Sequence, residues 1–377
     1  MKKNILLVIS ILLSATMYGQ TKKEVLEVAN RANDYFMAKW SDPTVPTNFK
    51  VVRPSNLWTR SVYYEGLLAL YGQDPQQRFL DYVDKWAVFH KWGPYKGDMK
   101  TFDADYQCCA QIYCTRYFME GGEEKYRTMQ KNFDNQIASG NNRRWTWIDA
   151  IQMAMPAYAM MSRITEDRKY IDYAMRSYIW TRDTCGGRLF NTDEGLWWRD
   201  ANFVAPYKES DGQNWYWSRG NGWVFTALCR VMDQLSPKDK YYKLLKDDYL
   251  MMAQALLKVQ REDGFWNASL LCEENYGGKE TTGTALFVYG LVWGVRNGLL
   301  TEKEYLAPAL KAWKGMVDNC IRKNGSLGYV QGTGARPEDG QPATATSTPD
   351  FEDYGIGCFL LAASEVYKVS NPDGKVK

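Results

Sequence analysis

The fold class this sequence predicts is an all-helical (α/α)6 barrel, on three observations. Six one-faced amphipathic segments alternate with six that are apolar almost all round. The pair recurs at roughly 45 to 70 residues, the mark of a helical repeat. Several of the connections into the apolar segments are long and rich in Gly, Asp, Asn and Trp.

The amphipathic segments lie near 22–39, 78–91, 123–138, 167–182, 240–259 and 303–321. In the fourth, Ile171, Ala174, Met175, Tyr178 and Ile179 share one helical face, with Asp172, Arg176 and Arg182 elsewhere. Tyr249, Met252, Ala253, Leu256 and Leu257 repeat the spacing in the fifth. These are outer helices. The apolar segments lie near 61–71, 106–119, 149–162, 221–234, 283–296 and 355–367, with AIQMAMPAYAMMS (150–162) and GTALFVYGLVWGV (283–295) the clearest. A helix with no polar face must be covered on every side. Read as antiparallel hairpins, outer helix first, the twelve helices close into a ring or stack as an open solenoid. Closure is favoured because fully apolar inner helices need a covered interior.

Bulk composition removes several function classes. Lys2 and Lys3, the apolar run Ile5 to Ala15 and the small residue Gly19 read as a cleaved signal peptide over 1–19. The expectation is a periplasmic or secreted protein whose residues 20–377 form a single (α/α)6 catalytic domain. The net charge of +3 includes the two leader lysines, and no later stretch is apolar enough to span a bilayer. Neither nucleic acid nor membrane insertion is therefore expected. The eight cysteines are scattered with no CxxC pair, and read as buried thiols. The one histidine, His90, rules out a multi-histidine zinc site and argues against a His-driven triad. No metal or cofactor is expected, and GGRLF and RGNG lack phosphate-loop spacing. Acid–base work falls to carboxylates, tyrosines, lysines or cysteines.

Segments 185–220, 262–282 and 324–354 each lead into an inner helix, so the end of the ring where inner helices begin is nominated for function. Asp103 and Asp105 precede the second inner helix, and Asp149 opens the third inside RRWTWIDA. WYWSRGNGW (215–223), KETTGT (279–284) and DFEDYG (350–355) precede the others. An aspartate at a helix start is first of all a cap. Asp149 departs from that rule because Trp145 and Trp147 flank it, and a carboxyl among indoles loses water. Desolvation can raise a pKa by several units, whereas a helix dipole opposes this by about 0.3–1 kcal/mol. Were Asp105 to face Asp149 across the ring, one of the pair would stay protonated and serve as a general acid.

Most Trp and Tyr belong to the core, yet Trp58, Trp145, Trp147, Trp197, Trp198, Trp215, Trp217 and Trp223 fall at or before inner-helix starts. Flat aromatics around a cleft are what sugar rings stack on. Arg219 offers a fork for a carboxylate or sulfate, or else a helix-capping salt bridge. His90 is assigned no role.

WTWIDAIQMAMPAYA, DADYQCCAQIY, WSRGNGW and ETTGTALFVYGL, in that company and spanning nearly the whole mature chain, resemble the unsaturated uronyl hydrolases of glycoside hydrolase family 105. Within it the chain looks most similar to the branch acting on ulvan, the unsaturated 3-sulfo-rhamnoglycuronyl hydrolases. The resemblance implies an (α/α)6 barrel and a metal-free hydration of a C4=C5 unsaturated uronic acid at the non-reducing end of a lyase-generated oligosaccharide. It implies Asp149 as general acid/base, Asp105 as the second aspartate, and Arg219 and Trp217 in the substrate site. Trp147, Trp223 and Trp58 complete the expected aromatic lining. Relatives often carry a histidine where GLWWRDANF has Arg199; an arginine there suits a sulfate or carboxylate of the substrate. A monomer or weak dimer is expected. The competing readings are an inverting glycosidase using Asp105 and Asp149, a lyase on a similar toroid, and a non-catalytic glycan-binding protein.

Overall fold

The computed structural model describes residues 20–48, 52–346 and 353–372. The expected leader over 1–19 and residues 350–352 of DFEDYG lie outside them. Along the chain run α1 (Lys22–Lys39), α2 (Trp58–Tyr71), α3 (Gln77–Phe89), and α4 (Ala104–Gln107, resuming as Ala110–Glu120). Then follow α5 (Glu124–Ala138), α6 (Asp149–Thr165), α7 (Lys169–Asp183) and α8 (Ser218–Met232). The last four are α9 (Tyr242–Lys258), α10 (Thr281–Arg296), α11 (Glu302–Asn319) and α12 (Asp353–Val369). Two small hairpins pair Thr47–Asn48 with Val52–Arg53 and Phe190–Asn191 with Leu196–Trp197.

The even-numbered helices form an inner ring in which each packs on the next and α12 returns to α2. The ring is therefore closed, not a solenoid. Closure depends on close approach: a Cβ on Gly66 of α2 would lie 2.5 Å from the carbonyl oxygen of Gly357 in α12. Arg60 of α2 adds a buried ion pair with Asp353 of α12, Nε to Oδ2 2.6 Å, and donates to Thr47 at 2.8 Å. Outer helix α1 covers this seam, with Phe36 stacked on Tyr63 at 3.7 Å and Lys22 N–H bonded to the Asn371 carbonyl at 3.1 Å.

One expectation is corrected. The tight antiparallel hairpins run inner helix first, as in α6–α7 and α10–α11, and α1 pairs with α12 instead of α2. The short links (166–168 and 297–301, for example) fold each outer helix straight back on the inner helix before it. All the longer connections consequently gather at the ends where inner helices start.

The inner helices are buried almost throughout, as their composition requires. Pro156 inside α6 leaves the Gln152 carbonyl without its helical donor. Gln111 of α4 supplies one, Nε2 to oxygen 2.8 Å. Below this level Glu65 of α2 pairs with Arg230 of α8 and accepts from Gln152 Nε2 at 3.0 Å, so a polar layer spans the ring. All eight cysteines are buried and free. His90 bonds Ser55 through Nε2 at 2.7 Å, and burial depresses its pKa to about 4, so it stays neutral. Among the described residues no helix is long and apolar enough to cross a membrane.

Candidate active site

Asp149 is the first residue of α6, but it does not cap the helix. The N-cap position is Ile148, which has no side-chain cap bond, and Asp149 Oδ2 is buried without a hydrogen-bond partner among the described residues. A carboxylate left this way is costly unless protonated or met by a ligand. Burial pushes its carboxyl above the usual range, against the pull of the Arg199 and Arg219 guanidiniums. Asp103 is the capping aspartate: its Oδ1 accepts from the Asp105 amide at 2.9 Å. That frees the Asp105 side chain, and the start of α4 packs against α6. Burial, then the charges of Asp103 and Asp149, hold the Asp105 carboxyl well above its ordinary value, opposed by Arg199 and Arg53. The two site aspartates thus share one electrostatic environment. Both carboxyls are held above their ordinary range, Asp105 by neighbouring carboxylates as well as by burial, Asp149 by burial against two arginines.

Arg199 is placed by its backbone. Its carbonyl accepts from Ile148 N–H at 3.0 Å, and Asp200 bridges Trp147 in antiparallel fashion. Two residues earlier, Asn221 of α8 clamps Trp197 by both backbone groups, Oδ1 to N 2.8 Å and Nδ2 to O 3.0 Å. The guanidinium bonds Asp200 and leaves Nε 3.8 Å from Asp149 Oδ2. Arg199, Arg219 and Arg53 therefore act on two carboxyls whose pKa values are raised. Guanidinium groups thus stand beside carboxyls that burial disposes to hold their protons, an arrangement that suits an acidic sugar.

A model of Glycosyl Hydrolase Family 88 matches residues 28–370. The chain belongs to that family. It is a glycoside hydrolase. An unsaturated 3S-rhamnoglycuronyl hydrolase of Formosa agariphila is 30% identical over 83% of this chain and 84% of its own length. A solved family 88 glycosyl hydrolase from Bacteroides vulgatus shares the fold with a TM-score of 0.84 at 29% identity, covering 93% of this chain and 99% of that one. A solved structure named a polysaccharide lyase matches with the same TM-score, 0.84, at 28% identity over 94% of this chain and 99% of that one. Solved structures assigned to family 105 share the fold as well.

Other expected site residues of this family 88 member divide by exposure. Arg219 is 1% exposed, and its NH1 and NH2 donate to the carbonyls of Gln331 and Gly332 at 2.7 and 2.9 Å. It lies between the rings of Trp217 and Tyr354, 4.7 and 4.9 Å from their centroids. It straps the 320–346 loop to α8 through NH1 and NH2, while Nε makes no hydrogen bond among the described residues. Trp217, 5% exposed, gives its Nε1–H to Gln331 Oε1 at 2.9 Å and supports the same strap. Trp223 is fully buried and belongs to the core, so it offers no stacking face. Trp58 and Trp147 are half-buried and retain exposed surface; Trp58 packs on Tyr354 at 5.2 Å and edges Trp223 at 6.3 Å. Gly220 lets α8 press against the start of α6, since a Cβ there would meet the Trp217 ring at 2.6 Å and Ile148 at 3.0 Å.

Sequence reasoning missed Arg53, Gln331 and Tyr354. Arg53 sits before Pro54 in the strand leading to α2, in VVRPSNLW, where no motif singles it out. Gln331 lies in a loop with no motif, and Tyr354 reads only as part of the DFEDYG segment before the last inner helix.

Proposed function

We propose that this hydrolase removes a C4=C5 unsaturated uronic acid from the non-reducing end of lyase-generated oligosaccharides by hydrating its vinyl ether. Rhamnoglycuronyl fragments of ulvan are the proposed substrate, in keeping with the quoted motifs and the name of the Formosa relative. The observation that carries the reading is Asp149: a mostly buried carboxyl with raised pKa, an unpartnered Oδ2, no cap to make, and arginines around it.

In the proposed reaction the Asp149 carboxyl gives its proton to C4, and the π electrons of the double bond form that C–H bond. The cation left at C5 is stabilised by the ring oxygen. Water adds at C5 and returns a proton to the Asp149 carboxylate. The resulting hemiketal opens to a ketone, and the anomeric carbon, now an open hemiacetal, expels the neighbouring sugar. Asp105 holds a proton beside Asp149 and limits the negative charge that collects there. Arg199 meets the uronate carboxylate, next to the carbon that becomes cationic. Trp58 and Trp147 are the stacking surfaces. The leader over 1–19 would place this activity in the periplasm or outside the cell.

Loss of the conjugated absorbance separates this reading from its rivals. Hydration erases the absorbance of lyase-generated fragments at the rate at which saturated sugar appears. A lyase, the reading that one solved neighbour's name invites, raises absorbance on intact polysaccharide. A binding protein leaves the double bond in place, and an inverting glycosidase leaves it in place on a thio-linked fragment that it cannot cut; either result would overturn the proposal.

A further inference from the structure

Beside Arg199 two braced loops face each other across a cleft of about 400 Å³. One loop carries Asp200, Asn202, Phe203 and Tyr207; the other carries Arg336, followed by Pro337 and Glu338. The first is fixed by Asp200, whose Oδ1 accepts from Asn202 N–H at 2.8 Å, and by Phe203 packed on Trp215 at 4.2 Å between ring centroids. The second is pinned at its base by Arg219 and shaped by Asp339, whose Oδ2 accepts from the amides of Ala335 and Arg336 at 2.8 and 2.9 Å. Gly332 N–H closes the loop on the Gly340 carbonyl at 3.2 Å. Both walls are thus rigid, as a binding subsite requires.

The lining joins aromatic rings to charged side chains of both signs. Phe203 and Tyr207 pack edge to face at 5.1 Å, which gives an aromatic wall for a sugar face. Arg336 is 74% exposed, and its only ion-pair contact among the described residues is a loose one with Glu338 at 3.9 Å. The cleft opens from Arg199, which stands against Asp149, so the sugar leaving the reacting uronate would extend into it.

We propose that this cleft holds the leaving sugar and that Arg336 recognises an oxyanion substituent on it, a sulfate ester or a carboxylate. Arg336 is then a specificity-determining residue and Asp339 a positioning residue that sets its backbone. Glu338 competes with the substrate for Arg336. This inference rests on the proposed function above, because it takes the uronate to sit at Asp149.

The test compares wild type, Arg336→Gln and Glu338→Gln on three sets of lyase-generated fragments: native sulfated, desulfated, and desulfated with carboxyls beyond the uronate reduced. On sulfated fragments Arg336→Gln should raise KM about tenfold with kcat little changed, the loss of one charge-assisted contact at a solvated site. Glu338→Gln should lower KM on the same fragments. If the Arg336→Gln defect vanishes on desulfated fragments the ligand is the sulfate ester; if it vanishes only after reduction it is the carboxylate. An equal defect on all three sets, or none, overturns the proposal. Calorimetric binding of the sulfated fragments keeps the two readings apart. Should wild type fail to consume the double bond, the function falls, while tenfold weaker binding by Arg336→Gln would still uphold the cleft and equal binding would reject it.

Discussion

Arg199 Nε faces Asp149 Oδ2 at 3.8 Å, and neither atom makes a hydrogen bond among the described residues. The pair is close enough to couple and too far apart to neutralise itself. It lowers the Asp149 pKa without removing the proton by a direct bond, leaving both atoms for substrate. A general acid acts below its pKa and fails as pH rises through it. Arg199→Gln removes a lowering influence, so the alkaline limb of kcat/KM should move to higher pH while KM rises. A limb that stays in place or moves down would show that Arg199 does not tune Asp149.

Asn221 fixes Arg199 indirectly by holding the Trp197 backbone. Asn221→Ala leaves a buried N–H and a buried carbonyl unpaired, each costing about 1–3 kcal/mol. Lowered thermal stability and a drop in kcat/KM are expected together. Normal activity in a destabilised protein would mean that the 197–200 segment is held by other contacts.

Asp105 should write itself into the pH dependence of stability. Its folded pKa is raised, so it binds a proton in the folded chain that the unfolded chain releases near pH 3.9. The stability it contributes is full below that value and is lost as pH rises through the raised folded pKa. Asp105→Asn removes this loss, so its Tm should fall less than wild type's between mildly acidic and mildly alkaline buffer. Parallel Tm profiles would contradict the assignment.

Arg60 and Asp353 latch the ring at its seam. Asp353→Ala strands a guanidinium that is 1% exposed, and breaking one side of a buried pair costs about 3–5 kcal/mol. Urea unfolding should show a loss of that order. A loss below about 1 kcal/mol would mean that the seam is held by Gly66–Gly357 packing and α1 alone.

The alternation of one-faced and all-apolar helices made the fold legible, because burial on every side has few solutions. The hairpin order was not legible. Periodicity says which face is buried, not which neighbour covers it, and short links such as 166–168 carried that information unread. At the site, the flanking indoles were the signal that set Asp149 apart from the other helix-start aspartates, and the structure shows that it makes no cap. The roles of Arg219 and Trp223 did not, since sequence placed both at the functional end without showing that Gln331, Gly332 and the core enclose them. Asp103 and Asp105 could be told apart only once one was seen bonding the other's amide.

The central claim is that Asp149 delivers a proton to a double-bond carbon, and Asp149→Asn tests it most directly on lyase-generated fragments. Loss of conjugated absorbance should slow by at least about a hundredfold, the lower range for removing a general acid, while helical circular dichroism and fragment binding stay intact. A folded Asp149→Asn enzyme that clears the double bond at near wild-type rate would contradict the account.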